Sequence, residues 1–342
     1  VNLPLLPPIK PMLSALSSQW PADFLYEPKW DGFRSLVFFD GQETYLQSRD
    51  CKPLGRYFPE LVEGLKASLP GPVVLDGEIV ISTPNGLDFD ALLLRIHPAA
   101  SRIAKLALET PASFVAFDLL AQGTEDLSPL PQQERRQRLE QLQPRPPWII
   151  TPCTRDIELA RDWFQRFEGA GLDGVIAKNP QLPYQPDARS MIKLKHRRTA
   201  DCVIGGYRTA KDNKGVGSLL LGLYDAQGVL QHVGHTSSFK AQEKLELVET
   251  LKPYLDQSGQ ASFGFGRSPG APSRWSAGKD LSWQSLRPEL VCEVSYDHMQ
   301  GDRFRHAATF LRWRPDKPTD QCTYEQLETV PPHELHSLFS QP

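Results

Sequence analysis

The sequence is poor in several features that would each announce a class of protein. No apolar run approaches the ~18 residues a membrane-spanning helix needs, and no charged-then-apolar leader opens the chain. Membrane insertion and secretion are therefore not expected. Cysteine is scarce: Cys51, Cys153, Cys202, Cys292 and Cys322 are odd in number and widely spaced. None forms a C-x-x-C pair, so the spacing gives no zinc site, and the thiols read as reduced and cytosolic. Net charge is nearly absent too, 38 Lys+Arg standing against 41 Asp+Glu for a formal −3. Over the whole chain that balance argues against a nucleic-acid partner, because such domains are usually basic. There is no internal repeat. His196, His232, His235, His298 and His306 lack metal-ligand spacing, and Gly215-Val216-Gly217 has too few glycines for a phosphate loop and reads as a hairpin turn.

What is present suits a globular protein. At roughly 150 residues per domain, 342 residues suggest about two domains. The 31 prolines gather at connections, with short β-rich runs and a few helices between them. β-branched and aromatic content predicts strands at Ser35–Phe39, Val73–Ser82, Ser113–Leu120, Gly174–Ala177 and Met191–Leu194. Pro59–Leu69, Gln132–Leu142 and Asp156–Phe167 read as helices. The run Glu134-Arg135-Arg136-x-Arg138 reads as a solvated helix face. From Thr199 the character changes: Cys202–Tyr207, Ser218–Tyr224, Val229–Gly234, Leu290–Tyr296 and Arg303–Trp313 supply about five strands, with one helix at Ala241–Leu251. That inventory fits an OB-fold barrel and other small barrels alike. A basic run near Arg197–Asp201 marks the boundary, giving domains of 1–198 and 199–342.

Chemistry concentrates in Glu27-Pro28-Lys29-Trp30-Asp31-Gly32-Phe33-Arg34. A lysine after a strand and before a turn is held at a rigid edge. A nucleophilic lysine must shed its proton, which desolvation or neighbouring cations favour. Taken alone, a strand-end lysine beside an Asp-Gly turn would be unremarkable. It is followed by Ser48-Arg49, Leu75-Asp76-Gly77-Glu78-Ile79-Val80, Phe114-Val115-Ala116-Phe117-Asp118, Asp173-Gly174-Val175-Ile176-Ala177-Lys178 and Met191-Ile192-Lys193-Leu194-Lys195. Lys193 and Lys195 alternate on the predicted strand, so both point to one face.

In this order and at these distances the set resembles the covalent nucleotidyltransferases: ATP-dependent DNA ligases, RNA ligases and mRNA capping enzymes. The resemblance spans nearly the whole chain. It implies an α+β fold, with a nucleotidyltransferase (adenylation) domain of antiparallel sheets and flanking helices followed by a β-barrel OB-fold domain. Lys29 would be the nucleophile that takes AMP from ATP. Glu27, Arg34, Arg49, Glu78, Phe117, Lys193 and Lys195 would bind ATP or AMP: Glu27 accepting from the adenine amino group, Phe117 stacking on the base, Arg34 and Arg49 holding ribose and phosphate oxygens, and the two lysines facing the α-phosphate. Lys178 would be a further phosphate contact. Glu78 and Asp173 are the candidate ligands for Mg²⁺ or Mn²⁺. Asp173 departs from the commoner Glu, one methylene longer, which favours a water-mediated role. Arg305, Arg312, Arg314 and Lys317 resemble the last family motif, which sits on the OB domain and stabilises departing pyrophosphate. Such a domain must close over ATP and reopen to admit DNA.

Asp201–Arg208, Lys211–Lys214 and Ser295–Asp297 look closest to the short stand-alone bacterial repair ligases of type C, rather than to the ligase portion of a fused end-joining enzyme. That implies nicked double-stranded DNA as substrate, a monomer, a cytoplasmic and nucleoid-associated site in a bacterium, and repair polymerases or end-processing proteins as partners. The alternatives are an RNA ligase or a capping-type enzyme, the latter using GTP, and a catalytically silent OB-fold module that binds nucleic acid. The charge balance does not exclude DNA. Asp187–Lys214 holds eight Lys/Arg against three Asp, and Arg303–Lys317 holds five against one, so the positive field is local.

Overall fold

A computed structural model describes residues 3–84, 86–167, 170–172, 174–196, 198–211, 214–258, 262–264, 269 and 282–327. Contacts among the described residues divide the chain into one unit up to Lys195 and another from His196 to residue 327. In chain order the first carries β1 (Ser14–Leu16), β2 (Leu25–Pro28), β3 (Phe33–Phe39), β4 (Thr44–Ser48), α1 (Pro59–Ser68), β5 (Val73–Val80), β6 (Ser82–Thr83), β7 (Gly86–Leu87), α2 (Phe89–Arg95), α3 (Ala100–Glu109), β8 (Ser113–Gln122), β9 (Glu125–Asp126), α4 (Gln132–Gln141), β10 (Trp148–Ile150), α5 (Ile157–Arg166), β11 (Val175–Lys178) and β12 (Met191–Leu194).

Two sheets organise this unit. The smaller has the order β1-β12-β11-β2, the larger β10-β8-β5-β3-β4 with β9 beside β8. Pairing is antiparallel except for β1 with β12 and β10 with β8. Alternation along β5 shows how the larger sheet is used. Val73, Leu75 and Ile79 enter a core with Leu61 and Leu65 of α1, Leu92 of α2 and Leu139 of α4. On the opposite face Val74 joins Leu36, Phe38, Leu120, Met12, Tyr184 and Met191, while Val80 joins Trp30, Val115 and Phe167. Asp76 and Glu78 stand between these two apolar patches, where alternation alone would place hydrophobic side chains. Arg34 of β3 shares their face, paired in register with Glu78. The β5–β8 register slips between Asp76 and Gly77, so Phe117 is the extra residue of a bulge opposite them.

Helix boundaries follow local chemistry. Pro59 opens α1, its missing N–H costing nothing at a first-turn position. Asp88 caps α2 through Ala91 N (2.8 Å), and Asp156 caps α5 through Glu158 N (2.9 Å). Helices α2 and α3 fall where no element was expected. Helix α4 corrects another expectation: Arg135 and Arg136 are buried instead of solvated, because buried acids elsewhere in the unit reach them.

The second unit carries β13 (Arg198–Thr209), β14 (Val216–Tyr224), β15 (Leu230–Thr236), α6 (Ala241–Leu251), β16 (Gln284–Ser285), β17 (Val291–Tyr296), β18 (Met299–Gln300), β19 (Arg303–Phe304) and β20 (Thr309–Trp313). Its main sheet runs β15-β14-β13-β17-β20, antiparallel throughout. The sheet curls until Ala308 N donates to His235 O (2.9 Å), joining the two edges as an OB barrel requires. The single strand expected over Arg303–Trp313 is instead β19 and β20. The residues between them turn, and His306 Nδ1 lies 2.7 Å from Asp297 Oδ2. No helix among the described residues is long and apolar enough to cross a membrane.

Candidate active site

Lys29 follows β2, whose four residues are all buried. Its backbone N–H donates to Gly174 O (2.9 Å), so the loop entering β11 clamps it. Gly174 has φ +123°, and a β-carbon there would lie 2.0 Å from Leu194 O, so only glycine fits. A side chain at Gly32 would meet Ile79 O at 2.1 Å; its absence lets the Lys29–Arg34 segment cross β5 closely. Between them Trp30 is buried, its Nε1 donating to Thr151 Oγ1 (2.8 Å). The Lys-x-Asp-Gly-x-Arg spacing is thus a strand end, an anchoring indole and a tight crossing in sequence.

The crossing delivers Arg34 to the inner face of the larger sheet. Its Nε and Nη2 each donate to Asp76 at 2.6 Å, a bidentate pair with a buried carboxylate, and Nη2 also reaches Met12 O (3.3 Å). The guanidinium carbon lies 4.5 Å from the centre of the Phe117 ring. Glu78 stands beside them. Burial pushes its carboxyl up to about 7, with the charges of Arg34 and Lys29 opposing the rise.

Glu27 is buried between two cations, Lys178 and Arg136. Lys178 Nζ contacts Glu27 Oε2 at 2.8 Å, donates to Phe117 O at 2.9 Å and lies 4.8 Å from the Phe117 ring centre. Arg136 approaches Glu27 Oε1 at 3.5 Å and donates to Thr151 O at 2.7 Å. Lys178, expected as a further phosphate contact, is thus held by Glu27 and the Phe117 carbonyl. On the smaller sheet, Glu27, Ile176 and Lys193 are paired in one row, so their side chains share a face. Lys195 lies one residue past the end of β12, a correction to the expectation that both lysines sit within the strand. Both are half-buried. Arg49 is exposed in the turn after β4 and is not joined to this cluster by any ion pair among the described residues. Asp173 lies outside the described residues.

In the second unit, Arg314 donates from Nη1 to Asp201 Oδ1 (2.9 Å) and from Nη2 to Asp316 Oδ2 (2.9 Å), and Lys317 Nζ stands 3.7 Å from Asp201 Oδ2. Arg312 pairs with Glu293 at 2.5 Å. Arg305 follows β19, its backbone N–H donating to His298 O (2.9 Å). Arg312, Arg314 and Lys317 are thus gathered by Asp201 of β13 and Glu293 of β17, with Asp316 beside Arg314.

No group of three or more His, Cys, Asp or Glu side chains among the described residues forms a metal site. Thiol chemistry has no support, since burial pushes both Cys153 and Cys322 up to about 12. Sequence reasoning missed Asp76, Tyr184 and Arg136 as members of the site. Asp76 alone left a signal, a charge interrupting an apolar strand.

Comparison with known proteins agrees with this geometry. The family model for the ATP dependent DNA ligase domain matches residues 5–195, and that for the ATP dependent DNA ligase C terminal region matches residues 212–317. DNA ligase C2 of Mycolicibacterium smegmatis is 52% identical over 346 residues, covering 97% of this chain and 98% of the relative. DNA ligase C of Mycobacterium tuberculosis is 49% identical over 343 residues, covering 96% of each. A solved structure from work on Lig E DNA ligases shares the fold, with TM-score 0.54 and 18% identity across 89% of this chain and 99% of that one. The chain belongs to the ATP-dependent DNA ligase family.

Proposed function

We propose that Lys29 is the nucleophile of the adenylation step. The observation that carries this reading is the seam between the two sheets, where β2 ends in Lys29 and Arg34, Glu78 and Phe117 project from β3, β5 and β8. Deprotonated Lys29 Nζ attacks the α-phosphorus of ATP. The N–P bond forms, the bond to the bridging oxygen breaks, and pyrophosphate leaves with the electron pair. AMP then passes to the 5′-phosphate of nicked DNA, and the neighbouring 3′-hydroxyl displaces it to seal the strand. Such chemistry is driven by positioning and charge stabilisation.

Glu27 and Lys178 present an acceptor and a donor side by side. Two of the three ammonium donors are spent on Glu27 and Phe117 O, leaving one. An acceptor beside a donor complements the amino group and N1 of adenine, and equally N1–H and O6 of guanine, so the preference for ATP over GTP, and for AMP transfer over cap formation, rests on membership of the ATP-dependent DNA ligase family. Phe117 stacks on the base, Arg34 and Arg49 hold ribose and phosphate oxygens, and Lys193 and Lys195 face the α-phosphate. Arg305, Arg312, Arg314 and Lys317 stabilise pyrophosphate. Glu78 fits a divalent cation, because its half-buried carboxyl, pushed up to about 7, is costly to ionise without one; Mg²⁺ or Mn²⁺ would neutralise phosphate charge there, with Asp173 the second candidate ligand. We assign residues 1–198 to adenylation and 199–342 to the OB domain, in a monomer acting on nicks in the bacterial cytoplasm alongside repair polymerases or end-processing proteins.

A sealing assay with ATP and Mg²⁺ tests the reading on DNA–DNA, RNA–DNA and RNA–RNA nicks. Sealing of the DNA nick is expected. Sealing of the all-RNA junction alone, or adduct formation with GTP instead of ATP, would overturn it.

A further inference from the structure

Beneath the cleft, a tyrosine that none of the sequence motifs contains is tied to the Arg34–Asp76 pair. Tyr184 is buried, 108 residues from Asp76 in sequence, and its Oη donates to Asp76 Oδ2 (2.7 Å) while accepting from Met12 N (2.9 Å). Both Asp76 oxygens already receive Arg34, through Nε and Nη2. Nη2 also reaches the carbonyl of the same Met12 whose N–H binds Tyr184. A closed loop results: guanidinium, carboxylate, phenol, backbone and guanidinium again. It uses the Nε/Nη2 edge of Arg34 and leaves Nη1 with no hydrogen bond among the described residues, on a guanidinium whose carbon lies 4.5 Å from the Phe117 ring centre and whose residue pairs in register with Glu78. A guanidinium is a rigid planar fork, so fixing one edge fixes the direction of the other.

We infer that Tyr184 is a positioning residue for nucleotide recognition: acting through Asp76, it aims the open edge of Arg34 at the ribose hydroxyls of ATP. The inference rests on the reading of Arg34 as a ribose contact. Without the phenol oxygen, Asp76 loses a donor and Met12 N–H loses its acceptor, so the carboxylate can rotate and carry the guanidinium with it. The aromatic ring, packed with Leu36, Phe38 and Met191, would remain.

The test compares ATP with 2′,3′-dideoxy-ATP, which lacks both hydroxyls, by measuring kcat/KM for formation of the protein–AMP adduct. The ratio of the two values in a single preparation is independent of the folded fraction. The native chain should prefer ATP, and Arg34→Lys, which keeps the charge but loses the fork, should collapse that preference. Tyr184→Phe should lower the ATP/dideoxy-ATP ratio at least threefold, through KM for ATP, while leaving the dideoxy-ATP value within twofold of native. If Tyr184→Phe lowers both nucleotides equally, or leaves the ratio at its native value while Arg34→Lys collapses it, Tyr184 only packs and the inference fails. If Arg34→Lys leaves the ratio unchanged, the ribose reading of Arg34 fails and takes the inference with it.

Discussion

Burial pushes Glu78 from an ordinary 4.5 to about 7, even with Arg34 and Lys29 opposing the rise. The native state therefore holds a proton that the unfolded chain releases between those two values. Stability linked to this group is full below about pH 4.5 and is lost as pH rises toward 7. Replacing Glu78 by Gln removes that cost, and without nucleotide or metal it should stabilise the protein at pH 8 by about 1–3 kcal/mol and have little effect near pH 4.5. Urea unfolding of both proteins at the two pH values measures it; equal differences at both would contradict a carboxyl held protonated toward neutrality by its surroundings. The same residue should be indispensable for adenylation, a trade of stability for activity common at functional sites. Glu78 was legible in the sequence because it lies in a motif. Its neighbour Asp76 lies in the same motif, but its pairing with Arg34 was not legible there, and Tyr184 was not legible at all, since its contact depends on a chain closure over 108 residues.

At the scale of elements, α4 shows where sequence pattern fails. Gln132-Gln133-Glu134-Arg135-Arg136-Gln137-Arg138 has no apolar stripe and looks fully solvated. Yet Arg135 is buried, giving Asp118 a bidentate pair at 2.8 and 2.9 Å and donating also to Gln132 Oε1 and Leu130 O. Burial alone would raise the Asp118 carboxyl, but the Arg135 charge and hydrogen bonds outweigh it and hold the group below its usual range. The helix is fastened by charge as well as by Leu139, and it brings Arg136 to Glu27 as a consequence. Removing one partner of a buried pair leaves an uncompensated charge, so Arg135→Met should cost about 3–5 kcal/mol, and Arg135→Met with Asp118→Leu should recover much of that. Thermal unfolding of the single and double variants checks it; a single variant as stable as native would show that the pair carries no such role. The helices α1, α5 and α6 were readable because proline, a capping aspartate or an amphipathic stripe announces them. In the strands, boundaries moved by a few residues where tertiary pairing extends or interrupts them, as at Arg305–Ala308 between β19 and β20.

For the whole molecule, scarcity of net charge proved less informative than its distribution. The formal −3 hides a group of cations in the first unit, Lys29, Arg34, Lys178, Lys193 and Lys195, on or next to strands of its two sheets, and another in the second unit at Arg312, Arg314 and Lys317, collected by Asp201 and Glu293. Family membership explains why motifs hundreds of residues apart belong together, while the fold gives each its physical reason: a glycine that must cross β5, another that must abut Leu194, a bulge that presents Phe117. Lys29 is the residue on which the proposed chemistry depends. Intact-mass and peptide-level mass spectrometry after incubation with ATP and Mg²⁺ should show one AMP adduct carried by Lys29, and Lys29→Ala should carry none; an undiminished adduct on the Lys29→Ala protein would contradict it.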